Sequence, residues 1–153
     1  MIKAVSHFHV LVSDKDAAKA FYTDKLGFEV RQDVTLDEEM GGIRWLTVGP
    51  PGQPDVNLML MGVNPGTDER TTEQAYALVA KGALGGGILH SDDCRATCAE
   101  LEARGVELTQ QPQERFYGID AGLRDPDGNH WRIVQPLQFD VEAVGRREEE
   151  AVS

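Results

Sequence analysis

The sequence is poor in cysteine and has no long apolar run. Its two cysteines, Cys94 and Cys98, lie four residues apart on one predicted helix, a spacing that fits a reduced compartment better than a disulfide framework. No apolar stretch approaches the roughly 20 residues that a membrane-spanning helix needs. The first ten residues, MIKAVSHFHV, also lack the apolar core and cleavage site of a secretory signal. We therefore expect a cytoplasmic protein with no membrane partner.

Basic residues are scarce as well. The 15 lysines and arginines are outnumbered by 26 aspartates and glutamates, which gives a formal net charge of 15 − 26 = −11. Binding to a nucleic-acid backbone requires a basic patch, so no nucleic-acid partner is expected. The 153 residues are enough for one domain, which would bury about 70% of the surface that the unfolded chain exposes.

Several catalytic motifs are missing. The GGG at 85–87 is not followed by the GK[ST] of a phosphate-binding loop, and there is no G-x-S-x-G nucleophile elbow. Cys94 and Cys98 lie on the apolar stripe of their predicted helix, where buried cysteine behaves as a small hydrophobic residue. These absences argue against nucleotide and serine or cysteine chemistry.

A repeated pattern is present instead. A strand-like segment at 7–12 is followed by Asp14 as a helix N-cap and by Gly27 as the residue that ends the helix. A second strand begins near Gly85, with Asp93 as the next N-cap and Gly105 closing that helix. Each helix precedes three strand-like segments, which are FEVRQDV, GIRWLTV and VNLMLM in the first half and VELTQQP, GIDAGLR and HWRIVQP in the second. The sequence therefore predicts two copies of one β-α-β-β-β unit.

Two stretches carry a family resemblance. The segment from His7 to Gly27, with its AFY and the overlapping DKLGFEV, resembles the first module of the vicinal-oxygen-chelate superfamily, which includes glyoxalase I, extradiol dioxygenases and bleomycin-resistance proteins. The segment FYGIDAGLRDPDGNHWRIVQ, residues 116–135, is similar to the end of the second module. The resemblance implies an α+β fold in which paired βαβββ modules form an open curled sheet around a cavity, and it implies a homodimer.

The resemblance also divides the chain. It implies one glyoxalase-like domain at 1–137, followed by a charged C-terminal tail at 138–153. Within the domain, module 1 covers about 5–62, a linker about 63–84 and module 2 about 85–137. The linker has a helical pattern with Thr72 as a possible N-cap, and it is either a simple connection or a lid over the cavity. The sheet–helix core is predicted to contain Phe8, Val10, Val12, Phe21, Leu89 and Leu101.

The DPDGN segment has a local explanation. Pro126 fits the second position of a turn, and Gly128 can adopt a positive φ without a Cβ penalty. A calcium loop of the EF-hand type would need glycine and glutamate where this chain has His130 and Pro136. We therefore interpret DPDGN as a structural turn.

The metal ligands that the resemblance implies are mostly missing. His7 matches a first-strand ligand, but the equivalent position of the second module is Gly86. Arg132 stands where the last strand normally supplies a glutamate, and a cation cannot ligate a metal. Asn57 is a weak substitute in the first module. We therefore expect no metal or other cofactor; the alternative is a rearranged site made of His7, His9 and His90.

The remaining candidates describe a ligand cavity. Strand parity places His7 with His9 and His130 with Arg132, whereas Trp131 has the opposite parity and is predicted to be a core residue. The candidate catalytic residues are His7, His9 and Tyr117. The predicted ligand-binding residues are His7, His9, Trp45, His90, Phe116, Tyr117, His130 and Arg132.

Two functional classes remain open. The first is a small-molecule-binding protein of the bleomycin-resistance kind, which sequesters a small organic ligand or has another metal-independent role. The second is an enzyme of the same superfamily. It would be a lyase, isomerase or dioxygenase with a rearranged metal site, or a metal-free catalyst that uses His7, His9, Tyr117 or Arg132. A shared fold does not decide between them, because function depends on the site.

Overall fold

Within residues 1–137, the fold consists of two four-stranded sheets, three α-helices and a short 3-10 helix at Glu38–Met40. The computed structural model of the protein describes residues 1–137. The predicted tail at 138–153 lies outside the described residues. The first unit comprises β1 (His7–Leu11), α1 (Lys15–Ala20, continued by a π-helical turn at Phe21–Lys25), β2 (Glu29–Thr35), β3 (Arg44–Gly49) and β4 (Asn57–Met61). After α2 (Glu69–Ala80), the second unit comprises β5 (Gly85–His90), α3 (Cys94–Ala103), β6 (Leu108–Arg115), β7 (Gly118–Arg124) and β8 (His130–Pro136). The α+β fold with paired βαβββ modules is confirmed.

The helix boundaries follow local signals in the sequence. The side chains of Asp14 and Asp93 cap α1 and α3 by accepting hydrogen bonds from the backbone N–H three residues further on. Gly27 and Gly105 follow the two helical segments with φ of 75° and 81°, which glycine adopts without steric cost. The prediction of Thr72 as the cap of α2 is wrong, because Asp68 accepts the N–H of Thr71 and begins that helix.

Each sheet ends on the first strand of its unit. The strand order is β1-β4-β3-β2 in the first sheet and β5-β8-β7-β6 in the second. β1 pairs in parallel with β4, and β5 pairs in parallel with β8, whereas the other neighbours are antiparallel. The two sheets therefore share one topology, and each has its first strand at an edge.

The helices lie between the two sheets. α3 packs on the second sheet and buries Cys94, Cys98 and Leu101, as predicted for the two cysteines. α1 packs on the first sheet, and its Tyr22 also reaches Trp131 of the second sheet. A single apolar core therefore joins the modules, and each sheet turns its other face away from the helices. We call this second surface the outer face.

The predicted core is correct except at one end of β1. Val10, Val12, Phe21 and Leu101 are buried, and Leu89 packs partly buried against the core. Phe8 is 54% exposed, so its placement in the sheet–helix core is wrong. Phe8 has the parity of Val10 but lies on the border of an open groove between the modules. Strand alternation predicts the side of β1 on which Phe8 lies. It does not predict whether a helix covers that end of the strand.

The DPDGN segment forms the predicted turn. One carboxylate oxygen of Asp125, Oδ1, accepts the backbone N–H groups of Asp127, Gly128 and Asn129 at 2.8–3.0 Å. Gly128 has φ of 104°, and a Cβ there would lie 2.3 Å from the carbonyl oxygen of Val79 in α2. Glycine is therefore required both by the backbone conformation and by the close approach of α2.

None of the helices within residues 1–137 combines the length and the apolar composition that a membrane span requires.

Candidate functional site

The outer face of the first sheet carries an aromatic and polar group of residues. The rings of His7 and Trp45 meet edge to face with centroids 5.4 Å apart, and Trp45 Nε1 donates to Gln32 Oε1 at 2.9 Å. Asn57 is the register partner of His7 on β4. His9 Nε2 lies 3.2 Å from the carbonyl oxygen of Met61, and in the Nε2–H tautomer it donates a hydrogen bond to that oxygen. We call His7, His9, Gln32, Trp45 and Asn57 the first half-site.

The outer face of the second sheet carries a network centred on a buried carboxylate. Arg132 Nη2 donates to Asp120 Oδ2 at 2.5 Å, and both terminal nitrogens of Arg132 lie 3.2 Å from Gln110 Oε1. The hydroxyl of Tyr117 donates to Asp120 Oδ2, and Gln110 Nε2 donates to Asp120 Oδ1. Asp120 is only 3% exposed, so Arg132, Tyr117 and Gln110 all donate to one buried acceptor.

His130 adjoins this network through a glycine. A Cβ on Gly122 would lie 2.7 Å from Thr109 Oγ1, 3.0 Å from Arg132 Nη1 and 3.1 Å from His130 Nε2. The missing side chain of Gly122 thus provides the space in which these groups converge. Burial, followed by the positive charge of Arg132, lowers the pKa of His130, so this imidazole is neutral at pH 7. We call Gln110, Tyr117, Asp120, His130 and Arg132 the second half-site.

The network also fixes protonation states. Burial by itself raises the pKa of Asp120, but the hydrogen bonds from Tyr117 and Arg132 bring it below its ordinary value. The same hydrogen bond raises the pKa of Tyr117. Tyr117 therefore stays protonated, and its proton is directed at Asp120.

The other predicted site residues lie at the margins. Phe116 is 78% exposed, and its ring meets that of Tyr117 edge to face at 5.1 Å. His90 is exposed at the end of the edge strand β5. Trp131 is buried on the opposite side of β8 from Arg132, as predicted. The candidate residues thus fall into two groups on two different sheets.

Sequence reasoning missed Asp120 and Gln110. From the sequence we predict a strand at GIDAGLR, residues 118–124, but we assign no role to Asp120 within that strand. A signal was available, because an aspartate in an otherwise apolar strand needs a buried partner. Asp120 also has the parity that the strand register gives to Arg132, whose opposite partner is Gly122.

An apolar groove opens between the two modules. It has a volume of about 330 Å³ and runs between the edge strands β1 and β5. Its apolar lining includes Phe8, Val10, Phe28, Leu58, Leu89 and Trp131. His9 and Ile88 border it as well, so the groove reaches the edges of both sheets.

Two of the metal-ligand positions that the resemblance implies hold residues that cannot ligate a metal, Arg132 and Gly86. Arg132 holds a positive charge against Asp120. A Cβ on Gly86 would lie 2.8 Å from the carbonyl oxygen of His130 and 3.0 Å from the ring of Trp131, which leaves no room for a ligating side chain. Within residues 1–137 of one chain, no three His, Cys, Asp or Glu side chains are grouped so that they could hold a metal ion. His7, His9 and His90 form no such group there.

Comparison with known proteins assigns the family. The sequence profile described as Glyoxalase/Bleomycin resistance protein/Dioxygenase superfamily matches residues 4–133. The crystal structure of UcmS2 shares 45% sequence identity with this chain and superposes with a TM-score of 0.81. The match covers 88% of this chain and 99% of the UcmS2 chain. TnmS3, an antibiotic binding protein from Streptomyces sp. CB03234, is 35% identical over 89% of this chain and 98% of its own, with a TM-score of 0.69.

An uncharacterised protein of Shewanella frigidimarina (strain NCIMB 400) is 30% identical over 88% of this chain and 95% of its own length. These matches span both modules, and they agree with the repeated βαβββ topology. The chain belongs to the Glyoxalase/Bleomycin resistance protein/Dioxygenase superfamily.

Proposed function

We propose that this protein binds a small organic molecule non-covalently and that its site works without a metal ion. The observation that carries the proposal is the Arg132–Asp120 pair. At the position where the superfamily resemblance implies a metal-binding glutamate, this chain has a guanidinium held by a buried carboxylate at 2.5 Å. A cation cannot donate a lone pair and repels a divalent metal. The resemblance to TnmS3, which is described as an antibiotic binding protein, supports a ligand of antibiotic size.

The proposal includes a homodimer, because the two half-sites of one chain lie on two different sheets. β1 and β5 are edge strands, and edge strands present backbone groups that can pair with another chain. Pairing β1 of one chain with β5 of its partner would place the first half-site beside the partner's second half-site. The exposed apolar side chains of Phe8 (54%) and Ile88 (65%) lie on these two strands and would be covered.

Light scattering tests the dimer. We expect twice the mass of one chain at micromolar concentration, and we expect Phe8→Asp to shift the protein toward monomer. Leu78→Asp is the control, because Leu78 is a similarly exposed apolar residue, 46%, on α2. A wild-type protein with the mass of one chain would contradict the dimer, and equal effects of the two variants would contradict the proposed interface.

Elemental analysis and ligand binding test the function. Protein purified without a polyhistidine tag is expected to contain less than stoichiometric zinc, iron, nickel or manganese. A panel of natural-product antibiotics that includes bleomycin is expected to yield at least one compound that raises the melting temperature of the wild type but raises that of Arg132→Met less. One bound metal per chain, or turnover of a panel compound, would favour the superfamily enzyme with a rearranged site instead. A panel without any stabilising compound would count against ligand sequestration.

A further inference from the structure

The charge of Arg132 is already compensated inside the protein. Asp120 is 3% exposed, and its Oδ2 accepts from Arg132 Nη2 at 2.5 Å. Arg132 keeps 27% of its side-chain surface exposed, whereas Asp120 keeps 4%. A ligand in the second half-site can therefore reach N–H groups of Arg132, but it meets an ion pair instead of an isolated positive charge.

The same carboxylate accepts hydrogen bonds from two further side chains of the second half-site. The Tyr117 hydroxyl and the Gln110 amide both donate to Asp120, at 2.5 Å and 3.0 Å. Gln110 Oε1 is in turn occupied by the terminal nitrogens of Arg132. Arg115 adds a weaker contact, with its Nε 3.7 Å from Asp120 Oδ1. The guanidinium of Arg132 still presents N–H donors to a ligand, since arginine carries five N–H donors and no acceptor and its side chain keeps 27% of its surface exposed.

We infer that Asp120 is a specificity-determining residue, which makes the second half-site select a neutral oxygen acceptor, such as a carbonyl group, over a carboxylate. The inference rests on the proposed ligand-binding function and deepens it. A carbonyl oxygen takes a hydrogen bond from Arg132 without disturbing the ion pair. A carboxylate brings a second negative charge close to buried Asp120 in surroundings of low dielectric constant, where like charges repel more strongly than in water.

Two matched aromatic probes test the selectivity. Naphthalene-2-carboxamide and naphthalene-2-carboxylate share one ring system and differ in the charge of the acceptor group. Titration calorimetry should show tighter binding of the carboxamide to the wild type. In Asp120→Asn the affinity for the carboxylate should rise by about tenfold relative to the affinity for the carboxamide. This is the effect of one hydrogen bond to a charged group. A wild type that prefers the carboxylate, or a ratio unchanged in Asp120→Asn, would overturn the inference.

A titration with inorganic sulfate tests the same inference without requiring that an aromatic probe binds. The NMR signal of Arg132 Nε–Hε is followed during sulfate titration of the wild type and of Asp120→Asn. Saturable shifts are expected in the variant and not in the wild type. Asp33→Asn is the matched control, because Asp33 also pairs with an arginine, Arg44, and its replacement changes the net charge equally. It should leave the Arg132 signal as in the wild type.

The two arms separate the inference from the proposed function. If neither naphthalene probe binds and the antibiotic panel yields no ligand, the proposed function fails. The sulfate arm still decides the role of Asp120 in that case. Equal sulfate affinity in the wild type and Asp120→Asn, or the same gain in Asp33→Asn, would show that Asp120 does not control the charge of the site.

Discussion

The hydroxyl group of Tyr22 donates a hydrogen bond of 2.7 Å to Asp125 Oδ2, and this bond joins the helix of the first module to the DPDGN turn of the second. Trp131 Nε1 donates to the same hydroxyl at 3.0 Å. Asn129 Nδ2 lies between the modules as well, donating to Asp125 Oδ2 and to the carbonyl oxygen of Leu11. Burial, and next the carboxylate of Asp125, raise the pKa of Tyr22 well above its usual range, so the donor stays protonated.

Tyr22→Phe tests this connection. The substitution keeps the buried ring but leaves the Trp131 N–H and one position on Asp125 Oδ2 without their partner. An unsatisfied buried polar group costs about 1–3 kcal/mol, so the free energy of unfolding should fall by about that amount in urea denaturation. Tyr76→Phe is the control, because Tyr76 makes one half-buried hydrogen bond to the carbonyl oxygen of Val12. A loss in Tyr22→Phe no larger than in Tyr76→Phe would contradict the connection.

Local features of the fold were predictable, and the contacts between modules were not. The caps at Asp14 and Asp93 and the Asp125 turn depend on residues within four positions, so the sequence contains them. The pairing of Tyr22 with Asp125 joins residues 103 positions apart. Strand alternation shows which side of a strand a residue takes, but it does not show which helix, from which module, covers that side.

Gly122→Ala tests the space in the second half-site. The backbone of Gly122 is not in the positive-φ region, so any effect comes from the added methyl group. That group would meet Thr109, Arg132 and His130 within 3.1 Å, and overpacking of this kind costs about 1–3 kcal/mol. The melting temperature should fall accordingly, whereas Gly52→Ala, which meets nothing within 4 Å, should change it little. Equal melting temperatures would show that the site relaxes without cost.

Cys98 gives a pH-dependent prediction. Burial raises the pKa of its thiol from 9.0 to about 12, so between these values the folded state holds a proton that the unfolded state has lost. The stability contributed by this thiol is therefore fully present below pH 9 and is lost as the pH rises toward 12. The unfolding free energy of the wild type should fall more between pH 8 and 11 than that of Cys98→Ala, as measured by urea denaturation.

Thiol labelling checks the same burial independently. Iodoacetamide at pH 8 should modify Cys94 and Cys98 in urea and leave both intact in the native protein, because the thiolate is the reactive form. Both cysteines are almost fully buried. Rapid native labelling at pH 8 would contradict their core position.

The candidate site divides in the same way as the fold. The repeat and the resemblance pointed to His7, Trp45, His130 and Arg132, and each of these lies on an outer face. The sequence did not reveal how the two sheets are placed relative to each other, because that arrangement depends on contacts between the modules, such as that of Tyr22 with Trp131. Asp120 was missed for a related reason, since its contact with Arg132 is a diagonal contact between β7 and β8 that only the register defines.

The last prediction measures the Arg132–Asp120 interaction directly. Arg132→Met removes the closest charged partner of a carboxylate that is 3% exposed. The unfolding free energy should fall by about 1.5–3 kcal/mol, the value of a hydrogen bond to a charged group. In the double variant with Asp120→Asn the losses should not add, with a coupling energy of about 0.5–3 kcal/mol. Arg115→Met is the control, since its contact with Asp120 is longer, 3.7 Å, and its coupling should be smaller. Additive losses for Arg132→Met and Asp120→Asn would mean that the pair does not act as a unit and that Asp120 does not compensate the charge of Arg132.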